Sequence, residues 1–274
     1  MTYRNFTTPS PKFRLTDGLI FRNILHIKTK RMVFRFGGAG AKWRILMNVA
    51  IIVAAGKSER MGVGVDKAFL SLGSKPIVAW SLLAFEACED IDQIILVVRR
   101  EQVLPAKSVA QMFGISKLNH NHILPGGGKR QDSVISGMAL MDPDTRLVVV
   151  HDGARPCVTP KLISETLRSA KRNGCAIAAC RIWDTVKYVE RGTTVDHTLD
   201  RAKLWAVQTP QAFNAELLKR AYKAVVEKKA TVTDEASAVE VLGEPVRLVE
   251  WTRPNIKITT VEDMPLAAVA MKLN

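Results

Sequence analysis

The chain has 274 residues, is 47% hydrophobic and 24% charged, and carries a formal net charge of +14 at pH 7. That length holds one large α/β domain or two small ones, and the composition is that of an ordinary globular chain rather than a disordered or fibrous one. No apolar run approaches the roughly 20 residues a membrane helix needs, so no membrane partner is expected.

The charge is unevenly placed. Residues 1–46 hold ten Lys/Arg against a single acid, Asp17, so +9 of the net charge lies there and +5 in the rest. The segment shows no sustained period and no secretory core. The expected reading is a disordered leader, either a tail or translated upstream sequence with Met47 as the original start. An Arg-rich, acid-poor transit peptide, or a segment that binds nucleic acid or anionic lipid, is the competing reading. The 47–274 segment is expected to form one domain.

From Met47 onward, apolar β-type runs alternate with helical patterns. Strands are expected at Asn48–Val53, Gln93–Arg99, Asn121–Leu124, Leu147–His151 and Cys175–Ile182. Helices are expected at Pro76–Cys88, Gln102–Phe113, Arg130–Met141 and Pro160–Asn173. Such alternation, with strands apolar on both faces, predicts a mostly parallel sheet covered on both sides. The rhythm breaks at about 183–210, where an inserted β-arm is expected as a hairpin turning near Arg191-Gly192. Helices return at Asn214–Ala230 and Asp234–Leu242, followed by short strands at Val246–Trp251 and Asn255–Thr259. A last helix opens on the capping-box pair Thr260 and Asp263.

In an open parallel sheet, ligands bind beyond the carboxyl ends of the strands. The first strand runs into Ala54-Ala55-Gly56, with Arg60 and Lys67 beyond. These small residues let a ligand approach the backbone closely, and the two cations suit a polyanion such as a nucleoside triphosphate. The spacing matches neither the Walker A loop nor the dinucleotide fingerprint, which excludes an ordinary nicotinamide-dependent oxidoreductase. Gly126-Gly127-Gly128, Lys129, Arg130 and Ser133 follow another strand, Asp152 and Arg155 follow the next, and Lys257 sits in a late one. Taken singly, each of these fits a turn or a solvated charge. Cys88, Cys157, Cys175 and Cys180 form no C-x-x-C pair, and the five histidines form no H-x-x-x-H pair, so a zinc site is not expected and a reducing cytoplasm suits the thiols.

The series A-A-G-x-x-x-R-M, D-K-x-x-L, G-G-x-x-R-x-D-S-V, V-H-D-x-A-R-P, D-T-V-K, D-R-x-x-L-W-x-x-Q-T-P-Q, T-D-E-A-S and N-I-K-I-T spans residues 54–259. It resembles the 2-C-methyl-D-erythritol 4-phosphate cytidylyltransferase family of the non-mevalonate isoprenoid pathway. The first motif alone would indicate only a sugar nucleotidyltransferase. The resemblance implies a Rossmann-like nucleotidyltransferase sheet and transfer of CMP from CTP, with Mg²⁺ as cofactor. It implies that Arg60 and Lys67 act on the triphosphate, and that Ala54, Ala55, Gly56, Gly127 and Ser133 form the cytosine and ribose pocket. Asp152 would stand near the metal and substrate, while Arg155, Thr209 and Lys257 would surround the sugar phosphate. Thr185 and Arg201 would reach a partner subunit's site from the arm of a homodimer. Two positions depart from the family pattern: Asp66 stands where Pro is common, and Gly128 where an acid is common. A pentitol-phosphate cytidylyltransferase is the nearest alternative, and a nucleic-acid partner is not implied. The chemistry is consistent with the residues. The attacking phosphate is already ionised, so cations rather than a Ser-His-Asp set are needed.

Overall fold

A computed structural model of the chain describes residues 32–35, 42–56 and 66–273. It divides into two compact units, residues 1–45 and 46–274. In the first, β1 (Met32–Arg35) pairs antiparallel with β2 (Lys42–Ile45), Met32 opposite Ile45 and Arg35 opposite Lys42. No sustained period in the leader anticipates this pairing. The remainder of the leader lies outside the described residues.

The second unit is built on a seven-stranded sheet. Its strands are β3 (Met47–Ala54), β6 (Gln93–Val98), β7 (Ile123–Pro125), β8 (Thr145–Asp152), β9 (Cys175–Arg181), β12 (Trp205–Asn214) and β13 (Arg247–Glu250), in the order β13-β9-β12-β8-β3-β6-β7. The β3–β6, β3–β8, β6–β7 and β9–β13 pairs are parallel. Only β12 runs against the rest, between β8 and β9. The fold is therefore α/β with a mainly parallel sheet, as expected. Two small antiparallel pairs complete the strands: β4 (Ser71–Leu72) with β5 (Lys75–Pro76), and β10 (Lys187–Tyr188) with β11 (His197–Thr198).

Successive residues of a strand face opposite sides, so a strand covered on both must be apolar throughout. In β3, Ala50 and Ile52 join one core with Leu82 and Phe85 of α1 (Ile77–Ala87), Val109 of α2 (Val103–Met112) and Leu162 of α4 (Pro160–Asn173). Val49 and Ile51 join the other core, with Val134 of α3 (Arg130–Met138), Leu218 of α5 (Ala215–Glu227) and Val239 of α6 (Glu235–Glu240). The α4 helix has the expected limits. The Thr159 hydroxyl accepts from Leu162 N–H at 3.3 Å, Pro160 takes the first turn, and Gly174 ends it at φ +85°. A C-terminal helix, α7 (Asp263–Ala270), closes the chain, and the Asp263 carboxylate accepts from Thr259 and Thr260 N–H at 2.7 and 2.9 Å. Asp263 thus makes the predicted bond, but the helix starts at Asp263 rather than just after Thr260.

Three sequence expectations need correcting. Residues 205–210 belong to β12, not to the arm. Pro210 has no N–H for a ladder, and pairing with β9 breaks between Val207 and Gln211, which hid the strand. Asn255–Thr259 is not a strand. Its backbone meets a loop, Ile258 N–H donating to Ala154 O at 2.8 Å, while Asn255 Nδ2 donates to Thr209 O at 2.9 Å. The strand expected at Asn121 begins at Ile123, because His120–His122 form a 3₁₀ turn capped by Asn119. The hairpin turn of the arm does fall near Gly192, which has φ +65°. No helix among the described residues is long and apolar enough to cross a membrane.

Candidate active site

The ends of β3, β7 and β8 converge on one cleft. Ala54, Ala55 and Gly56 line it from β3, Gly127, Gly128 and Ser133 from the turn into α3, and Asp152 from β8. Lys67 enters from a 3₁₀ turn, where the Asp66 carboxylate accepts from Ala68 N–H at 3.1 Å, and Lys257 enters from the loop before α7. Four cations, Lys67, Lys129, Arg130 and Lys257, face two carboxylates, Asp66 and Asp152, around this lining. The excess favours an anion. Arg60 lies outside the described residues.

The glycine turn is shaped by contact. A Cβ on Gly126 would stand 2.5 Å from both Ala55 Cβ and Ser133 Oγ, and one on Gly127 would stand 2.4 Å from Asp132 Cβ. Neither position admits a side chain without a shift. Among the described residues, a Cβ on Gly56 would meet nothing within 4 Å. Ser133 is buried, and its hydroxyl accepts from Gly127 N–H at 3.2 Å and donates to Lys129 O at 3.3 Å. It holds the turn in shape from beneath.

Asp152 is the electrostatic centre. Its Oδ1 accepts from Arg130 Nε at 3.1 Å, its Oδ2 from Lys257 Nζ at 2.7 Å, and Arg155 Nε stands 3.7 Å away. Burial alone would push its carboxyl up; Arg130, then Lys257 and Arg155, hold it well below the usual carboxylate range. Arg130 in turn gives both terminal nitrogens to Glu235, at 2.6 and 3.0 Å. Burial would ease that guanidinium's proton off, but Glu235 and Asp152 hold it on more firmly than usual.

Thr209 and Arg155 lie beside the cleft. Thr209 is buried, and its hydroxyl accepts from Asp152 N–H at 3.0 Å and meets His151 Nδ1 at 3.1 Å. Both capacities of the hydroxyl go to holding the end of β8. Arg155 donates to Asn255 O at 2.8 Å and lines a second cavity of about 420 Å³, with Arg181, Trp251 and Asn255. Lys257 lines both cavities, so it marks their junction. Thr185 and Arg201 line neither. Both are exposed on the arm, where Arg201 donates to the Trp183 carbonyl. Within one chain, then, the structure gathers every described predicted residue except these two.

Sequence reasoning missed the roles of Glu235, Tyr222 and His151 and left Arg130 without one. An acid pair opening a helix in Thr233-Asp-Glu-Ala-Ser237 was the available signal, but a helix start rich in acids has a sufficient local explanation.

A family model described as 2-C-methyl-D-erythritol 4-phosphate cytidylyltransferase matches residues 48–273. The chain belongs to that family. Curated relatives with that name include one from Desulforamulus reducens, 44% identical over 225 residues that cover 82% of this chain and 95% of the relative, and one from Alkaliphilus oremlandii, 41% identical over 223 residues, 81% and 94%. Among solved structures, the 4-diphosphocytidyl-2C-methyl-D-erythritol synthase of Anaerococcus prevotii superposes with TM-score 0.73 at 29% identity, covering 82% of this chain and 96% of that one. The 2-C-methyl-D-erythritol 4-phosphate cytidylyltransferase of Thermus thermophilus gives TM-score 0.67 at 30% identity, covering 81% and 98%. As a 2-C-methyl-D-erythritol 4-phosphate cytidylyltransferase, the chain transfers CMP from CTP to methylerythritol phosphate, a step of isoprenoid precursor synthesis.

Proposed function

We propose that the cleft at the ends of β3, β7 and β8 takes CTP, and that the cavity beside Arg155 takes the acceptor, with transfer at Lys257 between them. The observation that carries this reading is that Lys257 lines both cavities and is tied to Asp152 at 2.7 Å. Backbone at Ala54–Gly56 and the glycine turn offer close approach to base and ribose. Lys67 meets the triphosphate. The acceptor's phosphate oxygen attacks the α-phosphorus and pyrophosphate leaves. Both reactants are anions, so Lys67 and Lys257 lower their mutual repulsion and stabilise charge gathering on the α-phosphoryl oxygens. Asp152 keeps Lys257 aimed.

Mg²⁺ is the cofactor in this reading. Among the described residues no cluster of three or more His, Cys, Asp or Glu could hold a metal alone. Mg²⁺ commonly binds through one or two carboxylates together with substrate phosphates. Asp152 is the carboxylate that would face it, and because its oxygens already meet Arg130 and Lys257, the triphosphate oxygens of CTP would supply most of the ligands. When bound, the ion neutralises phosphate charge and draws electron density from the α-phosphorus.

The enzyme works as a homodimer in the cytoplasm in this reading, with Thr185 and Arg201 reaching the partner's acceptor cavity. Residues 183–204 are exposed almost throughout, Trp183 at 79%, and a lone hairpin of two-residue strands needs a surface to pack against. The deciding assay is pyrophosphate release from CTP with Mg²⁺. Turnover should be fastest with methylerythritol 4-phosphate. Faster turnover with ribitol 5-phosphate, or equal use of ATP, would overturn the assignment of either cavity.

A further inference from the structure

Thr233-Asp-Glu-Ala-Ser237 marks the chain by its sequence, yet neither cavity is lined by it. Its side chains are instead tied to the sheet and to two neighbouring helices. Asp234 caps α6 through Ser237 N–H at 2.9 Å and also accepts from Gln211 Nε2 at 2.8 Å. Gln211 returns the contact, its Oε1 accepting from Ala236 N–H at 3.1 Å. This fixes the residue between them, Glu235, whose side chain is fully buried. A buried carboxylate is costly unless charged and hydrogen-bonded partners surround it. Here Arg130 supplies two N–H groups and Tyr222 Oη donates at 3.0 Å.

A guanidinium is planar, and its Nε lies on a different edge from the far nitrogen pair. With that pair locked on Glu235, Nε is left facing Asp152 at 3.1 Å. Asp152 then presents its other oxygen to Lys257 at 2.7 Å. The result is a chain of alternating charge, Glu235, Arg130, Asp152, Lys257, running from the interior to the junction of the two cavities.

We infer that Glu235 is a positioning residue for the transfer reaction: through Arg130 it fixes the Asp152 carboxylate and so sets the place of the Lys257 ammonium. The inference rests on the reading of Lys257 as the cation at the point of transfer. Glu235 touches neither substrate. It acts because a displacement of about 1 Å in a reacting group can cost on the order of 10²-fold in rate.

The test is a double-mutant cycle read in kcat, with KM for CTP and the thermal midpoint recorded for each protein. Glu235→Gln keeps the shape and removes the charge. In the otherwise native enzyme it should lower kcat by about 10- to 100-fold and leave KM for CTP within about threefold. Tyr222→Phe removes one hydrogen bond to Glu235 and should lower kcat by only about threefold. In a Lys257→Ala background, either change should cost less than about twofold more, because the group being placed is gone. A merely structural role would lower the midpoint yet multiply through both backgrounds alike. Equal losses in the two backgrounds, or native kcat in a folded Glu235→Gln protein, would overturn the inference alone. Native kcat in Lys257→Ala would overturn the reading of the site and the inference with it. Should Glu235→Gln fail to fold, the Tyr222→Phe cycle decides by the same comparison.

Discussion

His151 offers a quantitative check on how the floor of the site is held. It lies at the end of β8, fully buried, with Nδ1 against the Thr209 hydroxyl at 3.1 Å and Nε2 against Arg155 O at 3.3 Å. The neutral ring satisfies both contacts if Thr209 donates to Nδ1 and Nε2–H donates to Arg155 O. Burial pushes its pKa from 6.5 down to about 3. The unfolded chain therefore takes up a proton as pH falls through 6.5, and the native protein does so only near 3. The stabilisation is complete above about pH 7 and is lost progressively as pH drops through that window. At about 1.36 kcal/mol per pH unit, moving from pH 7 to pH 5 should cost the native protein ~2 kcal/mol from this residue alone. His151→Gln keeps a polar side chain that does not titrate. Urea unfolding of both proteins at pH 7 and pH 5, followed by tryptophan fluorescence, gives the comparison. The variant should be the less stable at pH 7, yet its loss on acidification should be smaller by ~2 kcal/mol. Parallel losses in the two proteins would show that the ring is not held neutral, and the assigned hydrogen bonds would fall with it.

Three further outcomes follow from the same geometry. Lys67→Ala should lower kcat by on the order of 10²–10³, as loss of one transition-state donor does; full kcat with only a raised KM for CTP in steady-state assays would contradict that role. Gly126→Ala should destabilise by about 1–3 kcal/mol, because the added carbon would stand 2.5 Å from Ala55 Cβ and Ser133 Oγ. An unchanged thermal midpoint would mean the turn yields more easily than its contacts imply. Lys67→Ala and Arg201→Ala proteins refolded together should recover about a quarter of native activity, since half the dimers are mixed and each carries one intact site. No recovery, with subunit exchange demonstrated by a mass-tagged chain, would return Arg201 to its own subunit.

The order of strands and helices was legible because burial on both faces forces continuous apolar runs such as Val49–Val53 and Ile94–Val98, and these have few other uses. The strand ends gave the cleft, since small residues and cations after such runs have a spatial meaning in this fold class. What escaped was held by side chains rather than by period. The β12 strand carries Gln208, Thr209 and Pro210 in the middle of its run. Residues 255–259 look β-like but are fastened by Asn255 and by one bond to a loop. The anchoring of Arg130 by Glu235 joins positions 105 apart in the chain, beyond any local pattern. Ser133 and Thr209 stand out by family motif, but motif position says nothing of how their hydroxyls are used: Ser133 bonds the backbone of the glycine turn, and Thr209 bonds Asp152 N–H and the His151 ring.

The stems of the arm have a further consequence. Arg181, where the chain leaves β9, is paired with Trp205, where it rejoins the sheet in β12, and the guanidinium lies 3.9 Å over the indole ring. The excursion therefore starts and finishes on facing rungs of one ladder, and the sheet would tolerate its replacement by a tight turn. The arm is a single excursion between two paired rungs. Shortening it should leave a foldable core in which β9 still meets β12.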